Sequence, residues 1–122
     1  MKFKGNDELP SLELNEDEGT IKIWGRSTAI EAKADFWGPL LDKLDNYLND
    51  PRDIVVSIEM EYFATSSAKE MLEMFSLLAR KVVVKNDRKV LVKWISDDED
   101  MEEAGEDYQS MVSKLTWKHI KL

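Results

Sequence analysis

Three hydroxyl side chains stand in a row at Thr65-Ser66-Ser67, between an apolar run and a helical pattern. Their type and setting allow two kinds of chemistry. A hydroxyl at a strand-to-helix turn can accept a backbone N–H and cap the helix. It can also carry a phosphate, because free N–H groups and the positive end of the helix dipole both favour an added anion. Ser67-Ala68-Lys69-Glu70 matches the S-x-x-E capping box. The two readings are compatible, since one hydroxyl can cap while another is presented to a kinase.

The other dense group is acidic: Asp97-Asp98-Glu99-Asp100, then Glu102, Glu103, Glu106 and Asp107. A calcium loop begun at Asp100 puts Gly105 at its sixth position but Met111 at its twelfth, where a bidentate glutamate is required. The run is therefore expected to be a solvated helix start, with a surface for a partner's basic patch as the alternative. His119 is the sole histidine, with no acid–nucleophile pattern around it, and is expected at the surface or a sheet edge. The chain has no cysteine, which excludes disulfides, thiolate metal sites and thiol chemistry. No glycine-rich phosphate loop exists. No catalytic residue, metal or cofactor is expected, and the protein is read as a non-enzyme. A small-ligand carrier or enzyme using the acidic segment is the contrasting class.

The elements that must position the hydroxyls are legible on both sides. Ile54 to Met60 reads as a strand, with a β-branched run typical of one covered on both faces. Ala68, Leu72, Phe75, Leu78 and Val82 recur at helical spacing and predict a helix from about Ser66 to Val83. Upstream, residues 1–10 read as a flexible arm, Ser11–Leu14 as a short edge strand and Asn15–Gly19 as a hairpin turn. Thr20–Trp24 is a strand ended by Gly25-Arg26-Ser27. Ala32 to Leu48 has helical period, with Pro39 setting the helix start near Trp37. Downstream come a strand at Lys89–Ile95, a helix beneath the acidic run and a last strand at Leu115–Leu122. The order β-β-α-β-α-β-α-β predicts a single α/β domain over residues 1–122, with a mixed sheet of about five strands and about three helices. The four tryptophans are expected in or near the core, with Trp24 the candidate for exposure.

At 122 residues the chain is expected to form one core. Its net charge of −8 argues against nucleic acid or anionic lipid as the main partner. No apolar run approaches the roughly 18 residues of a membrane span, and the first residues lack the apolar core of a signal peptide. A cytoplasmic protein that meets other proteins fits these features. Tyr62, Phe63 and Trp37 are candidate docking anchors, because surface aromatics often carry binding energy, with burial in the core as the equal alternative.

Glu61-Tyr62-Phe63-Ala64-Thr65-Ser66-Ser67-Ala68-Lys69 resembles the EYFNTSSSK junction of the SiaC family of bacterial regulatory phosphoproteins. Asp97 to Asp107 is similar to that family's DDEDMxEAGED segment, and Gly25-Arg26-Ser27 before a helix resembles its GRSYPENA run. The match follows the same order and spacing through nearly the whole chain. It departs at Ala64, where the family has Asn, and at Thr28-Ala29-Ile30-Glu31-Ala32, where the family has YPENA.

The resemblance implies a STAS-like, anti-sigma-factor-antagonist-like fold and a role in partner switching. The family's phosphothreonine falls on Thr65, with a dedicated protein kinase and a PP2C-type phosphatase as its partners. The unphosphorylated form is expected to bind a diguanylate cyclase and so govern cyclic-di-GMP signalling and biofilm formation. The implied partner-binding set is Tyr62, Phe63, Thr65, Ser66, Ser67 and Lys69. A STAS-type antagonist of an anti-sigma factor and a constitutive, unphosphorylated interaction module are the alternatives. A phosphate on Thr65 beside Glu59 and Glu61 is expected to weaken docking by repulsion while leaving the domain folded.

Overall fold

In the computed structural model, which describes residues 1–122, Lys2–Phe3 (β1), Ser11–Asn15 (β2) and Thr20–Ser27 (β3) form an antiparallel meander. Ile54–Phe63 (β4), Val90–Ser96 (β5) and Thr116–Lys121 (β6) then add in parallel beyond β3. Spatial order equals chain order, β1 to β6, in one six-stranded sheet. The β2–β3 turn closes as its residues demand. Asn15 Oδ1 accepts the N–H groups of Asp17 and Glu18, and Gly19 takes φ +69°.

Gly38–Tyr47 (α1), Thr65–Leu78 (α2) and Glu99–Met111 (α3) return the chain between the parallel strands. Each crossover steps the same way along the sheet, so right-handed connections put all three helices on one face. Burial alternates accordingly. Ile21, Ile23, Ile54, Val56, Ile58, Val90, Val92 and Trp94 face the helices, while Lys22, Trp24 and Glu59 face out. The expectation that β4 is covered on both faces is thereby corrected. Its outward Val55 and Ser57 are half-buried by their cross-strand neighbours alone.

Three further boundaries differ from the sequence reading. Residues 1–10 are not a free arm, because Lys2–Phe3 pairs with β2, Phe3 packs edge-on against Phe36, and Glu8 O accepts from Thr28 N. This adds the sixth strand. β3 does not stop at Trp24 but runs through Gly25, whose φ of +108° keeps the strand paired. Ahead of α1, Lys33–Trp37 forms a wide π-helical turn in which Gly38 N–H donates to Lys33 O. Pro39 has no N–H for Asp35, which removes the bond that would keep this turn α-helical. A second wide turn, Ala79–Lys85, continues α2.

The core lies between the helices and the covered face. Trp37, Trp94 and Phe75 are its largest fully buried side chains. Trp117 is half-buried against Phe75, with centroids 5.0 Å apart, and Trp24 is exposed. Trp37 is therefore packing, not a surface anchor.

Candidate functional site

The hydroxyl cluster occupies the first turn of α2. Ala64, in extended geometry, is the N-cap, and no side chain caps the helix. Thr65, Ser66 and Ser67 are then the first three helical positions, whose N–H groups have no acceptor inside a helix. Thr65 and Ser66 are exposed. Ser67 is 1% exposed, because it begins the stripe Ser67, Met71, Met74 and Leu78 that faces the core.

The capping box is corrected by this placement. Ser67 Oγ turns inward to Ser27 Oγ at 2.6 Å, and Ser27 Oγ also accepts the Trp37 indole N–H at 3.0 Å. Glu70 does not reach back to the helix start. It is almost buried and lies 3.7 Å from Lys33 Nζ, tying α2 to the π-helical turn. The helix N-terminus is therefore left open to solvent at Thr65 and Ser66.

Beside Thr65 runs a groove of about 400 Å³ between α2 and α3. Phe63, Ala68 and Leu72 form one wall, and Ala104, Tyr108 and Met111 the other. Thr65, Lys69 and Asp107 supply its polar rim. The Tyr108 hydroxyl donates to Ala68 O at 2.8 Å, fixing α3 against the first turns of α2. Burial pushes the Tyr108 phenol well above its ordinary pKa. Met111 is 57% exposed at the groove's far end.

Two residues exchange the faces that alternation assigns them. β3–β4 pairing shifts from Gly25↔Met60 to Arg26↔Tyr62, skipping Glu61. The extra residue turns Phe63 toward the helices and the groove, where it meets Tyr108 at 6.4 Å. It turns Tyr62 outward, 50% exposed, with the Arg26 guanidinium 5.8 Å from its ring centroid. Glu59 follows the outward side of β4, so the carboxylate sharing the groove with Thr65 is Asp107.

Phe63, Thr65 and Lys69 thus come together, with Ser66 exposed next to them. Tyr62 lies on the other face of the sheet and Ser67 is in the core. Asp107, Tyr108 and Leu72 escaped the sequence-level set. Leu72 was visible only as part of the apolar stripe of α2 and Tyr108 as part of the helical spacing beneath the acidic run, and the packing of α3 on α2 is what makes the two stripes facing walls. The acidic run itself starts α3. Asp98 Oδ1 accepts from Met101 N–H at 2.8 Å, and Glu99, Asp100 and Glu102 occupy the first turn, where the dipole favours them. No group of three or more His, Asp or Glu side chains is arranged to hold a metal ion. His119 is exposed on edge strand β6, 2.7 Å from Gln109 Oε1. No helix is long and apolar enough to cross a membrane.

The family model described as "SiaC family regulatory phosphoprotein" matches residues 3–122. No curated protein sequence matches. Among solved structures, one chain in the crystal structure of the complex between the diguanylate cyclase SiaD and its activator SiaC from Pseudomonas aeruginosa superposes with a TM-score of 0.90 at 20% identity. It covers 100% of this chain and 99% of that one. Apo-SiaC from Pseudomonas aeruginosa gives a TM-score of 0.86 at 20% identity, covering 98% and 97% of the two chains.

Proposed function

The chain belongs to the SiaC family of regulatory phosphoproteins, and on that premise we propose a non-enzymatic partner switch in which phosphorylation of Thr65 controls docking in the groove between α2 and α3. The observation that carries this reading is an exposed Thr65 hydroxyl at the uncapped start of a helix and on the rim of an apolar groove. SiaC of Pseudomonas aeruginosa is the activator of the diguanylate cyclase SiaD. A diguanylate cyclase is accordingly the partner proposed here, engaged by the unphosphorylated form to raise cyclic-di-GMP and promote biofilm. A cytoplasmic protein kinase and a PP2C-type phosphatase set the phosphorylation state.

The physical steps follow from the groove. A phosphate on Thr65 brings nearly two negative charges and three acceptor oxygens. The open N–H groups of the first turn and the helix dipole accommodate it, so α2 stays folded. Lys69 stands one turn on, at the i+4 spacing that lets a cation pair with it. Lys69 is then drawn from the partner to the phosphate, and the rim, which already holds Asp107, becomes anionic. An apolar partner segment entering the groove must now desolvate that charge, which disfavours docking.

The test is titration of a purified candidate diguanylate cyclase against wild-type, phosphorylated, Thr65→Ala and Thr65→Glu protein. Unphosphorylated and Thr65→Ala protein are expected to bind and activate. The phosphorylated form is expected to bind at least about tenfold more weakly with unchanged circular dichroism, and Thr65→Glu to follow it in part. Equal binding by the phosphorylated form, or labelling by the kinase that survives Thr65→Ala, overturns the proposal.

A further inference from the structure

The face of the sheet turned away from the helices carries a charge pattern unrelated to Thr65. Strand register places one residue from each strand in a single row: Lys2, Glu13, Lys22, Ser57, Lys93 and Lys118. Lys2 and Glu13 pair with each other at 3.7 Å. Lys22, Lys93 and Lys118 take part in none of the protein's ion pairs, although the chain carries a net charge of −8. Two residues further along the strands, and so on the same face, lie Trp24, Glu59, Ile95 and Ile120. Trp24 is 42% exposed, and Ile95 and Ile120 are half-buried. Between the two rows the surface dips into a depression of about 270 Å³ that includes Lys22, Trp24, Glu59 and Ile95.

We infer that this face docks an amphipathic helix of a partner protein, with an acidic stripe along Lys22, Lys93 and Lys118 and an apolar flank over Trp24, Ile95 and Ile120. The spacing selects this occupant. Adjacent strands are about 4.8 Å apart, so Lys93 stands about 9.6 Å from Lys22 and Lys118 about 4.8 Å beyond it. A helix rising about 1.5 Å per residue puts carboxylates at i, i+7 and i+10 at about 10.5 and 15 Å along its axis. Laid across the strands, such a helix meets all three ammonium groups in turn. A row of lysines kept only for solubility needs no exposed tryptophan and half-buried isoleucines beside it. Glu59, the one carboxylate in that second row, stands two residues from Ser57, the one uncharged position between the three lysines. Nucleic acid would meet three cations on an otherwise anionic molecule, and a second copy of the chain brings eight further negative charges into the encounter. Because the helices cover the opposite face, this surface and the α2–α3 groove can be occupied together. The inference does not rest on phosphorylation.

The probe that tests it is a synthetic amphipathic helix with glutamates at i, i+7 and i+10 and leucines on the flanking stripe. It is titrated into the isotope-labelled full chain and followed through backbone amide shifts. Saturable shifts are expected around 22–24, 57–59, 93–95 and 118–120, with affinity falling as salt is raised. A Lys22→Glu, Lys93→Glu, Lys118→Glu variant is expected to bind at least about tenfold more weakly, and Thr65→Glu to bind as wild type does. Should the triple variant lose its circular dichroism, single Lys→Gln variants that keep theirs are each expected to weaken binding. Shifts confined to the α2–α3 groove, no saturable shift, or undiminished binding by the folded lysine variants overturns the inference. So does a face that takes up RNA or a second copy of the chain but not the peptide.

Discussion

Ser27 Oγ lies 2.6 Å from Ser67 Oγ, with both side chains buried, and this bond fastens the last residue of β3 to the first turn of α2. The Trp37 indole donates to the same Ser27 oxygen, and Ala64 N–H donates to Ser27 O at 2.9 Å. Two strands, the π-helical turn and α2 therefore meet around one serine. The angle at which α2 leaves the sheet, and so the direction in which Thr65 is presented, is set at this point.

Ser67→Ala removes one partner from that buried group and leaves Ser27 held by Trp37 alone. The expected cost is about 1–2 kcal/mol, read as a lower denaturant midpoint. Kinase labelling of Thr65 should persist in this variant, because Ser67 has no exposed hydroxyl to offer.

Ala64 stands where a polar cap would satisfy the open N–H groups of α2. Ala64→Asp is expected to stabilise the fold by about 1 kcal/mol in thermal unfolding. A phosphate on Thr65 draws on the same donors and dipole. Phosphorylation should therefore raise the melting temperature of the wild type, and raise it less in Ala64→Asp.

Gly105 lies against the Trp94 indole, whose Nε1 donates to Met101 O at 2.7 Å. A Cβ at this position would come within 2.6 Å of Trp94 Nε1, and the ring is too buried and too well held to retreat. Gly105→Ala is expected to destabilise by about 1–3 kcal/mol, with a change in tryptophan fluorescence as α3 is pushed off the sheet.

Burial raises the Tyr108 phenol above its ordinary pKa of 10.0. The folded state thus holds this proton more tightly than the unfolded chain does. The associated stability is complete below pH 10 and is lost as the pH rises above that value. Unfolding midpoints measured upward from pH 9 should fall more steeply for wild type than for Tyr108→Phe. At neutral pH the variant should be less stable by about 1 kcal/mol, since Ala68 O loses its donor.

Element order was legible because each switch from alternating to helical spacing is long enough to register. The turn at Asn15 was legible because Asn and Gly answer its backbone angles directly. What escaped depended on single events between chain segments. One skipped residue, Glu61, reverses the faces of Tyr62 and Phe63, and no local pattern announces it. Ser67-x-x-Glu70 satisfies a capping rule on paper, yet Ser27 and Lys33 claim both side chains from other parts of the chain. The groove was half visible, since Thr65 and Phe63 lie on the strand–helix junction. Its second wall comes from α3, which sequence distance hides.

Because each strand lies beside the one before it, every parallel pairing is closed by the single helical segment between its two strands. A chain emerging from the ribosome can add each helix–strand unit to a sheet already standing, without keeping an early strand unpaired for a late arrival. The loop closed at each step is then a single crossover, the shortest that a parallel pairing allows, which limits the entropy cost of pairings that are intrinsically slow. The hydroxyl-bearing turn of α2 would then be in place before α3 and β6 have left the ribosome. The switch surface is assembled in order of synthesis, junction first and second wall last.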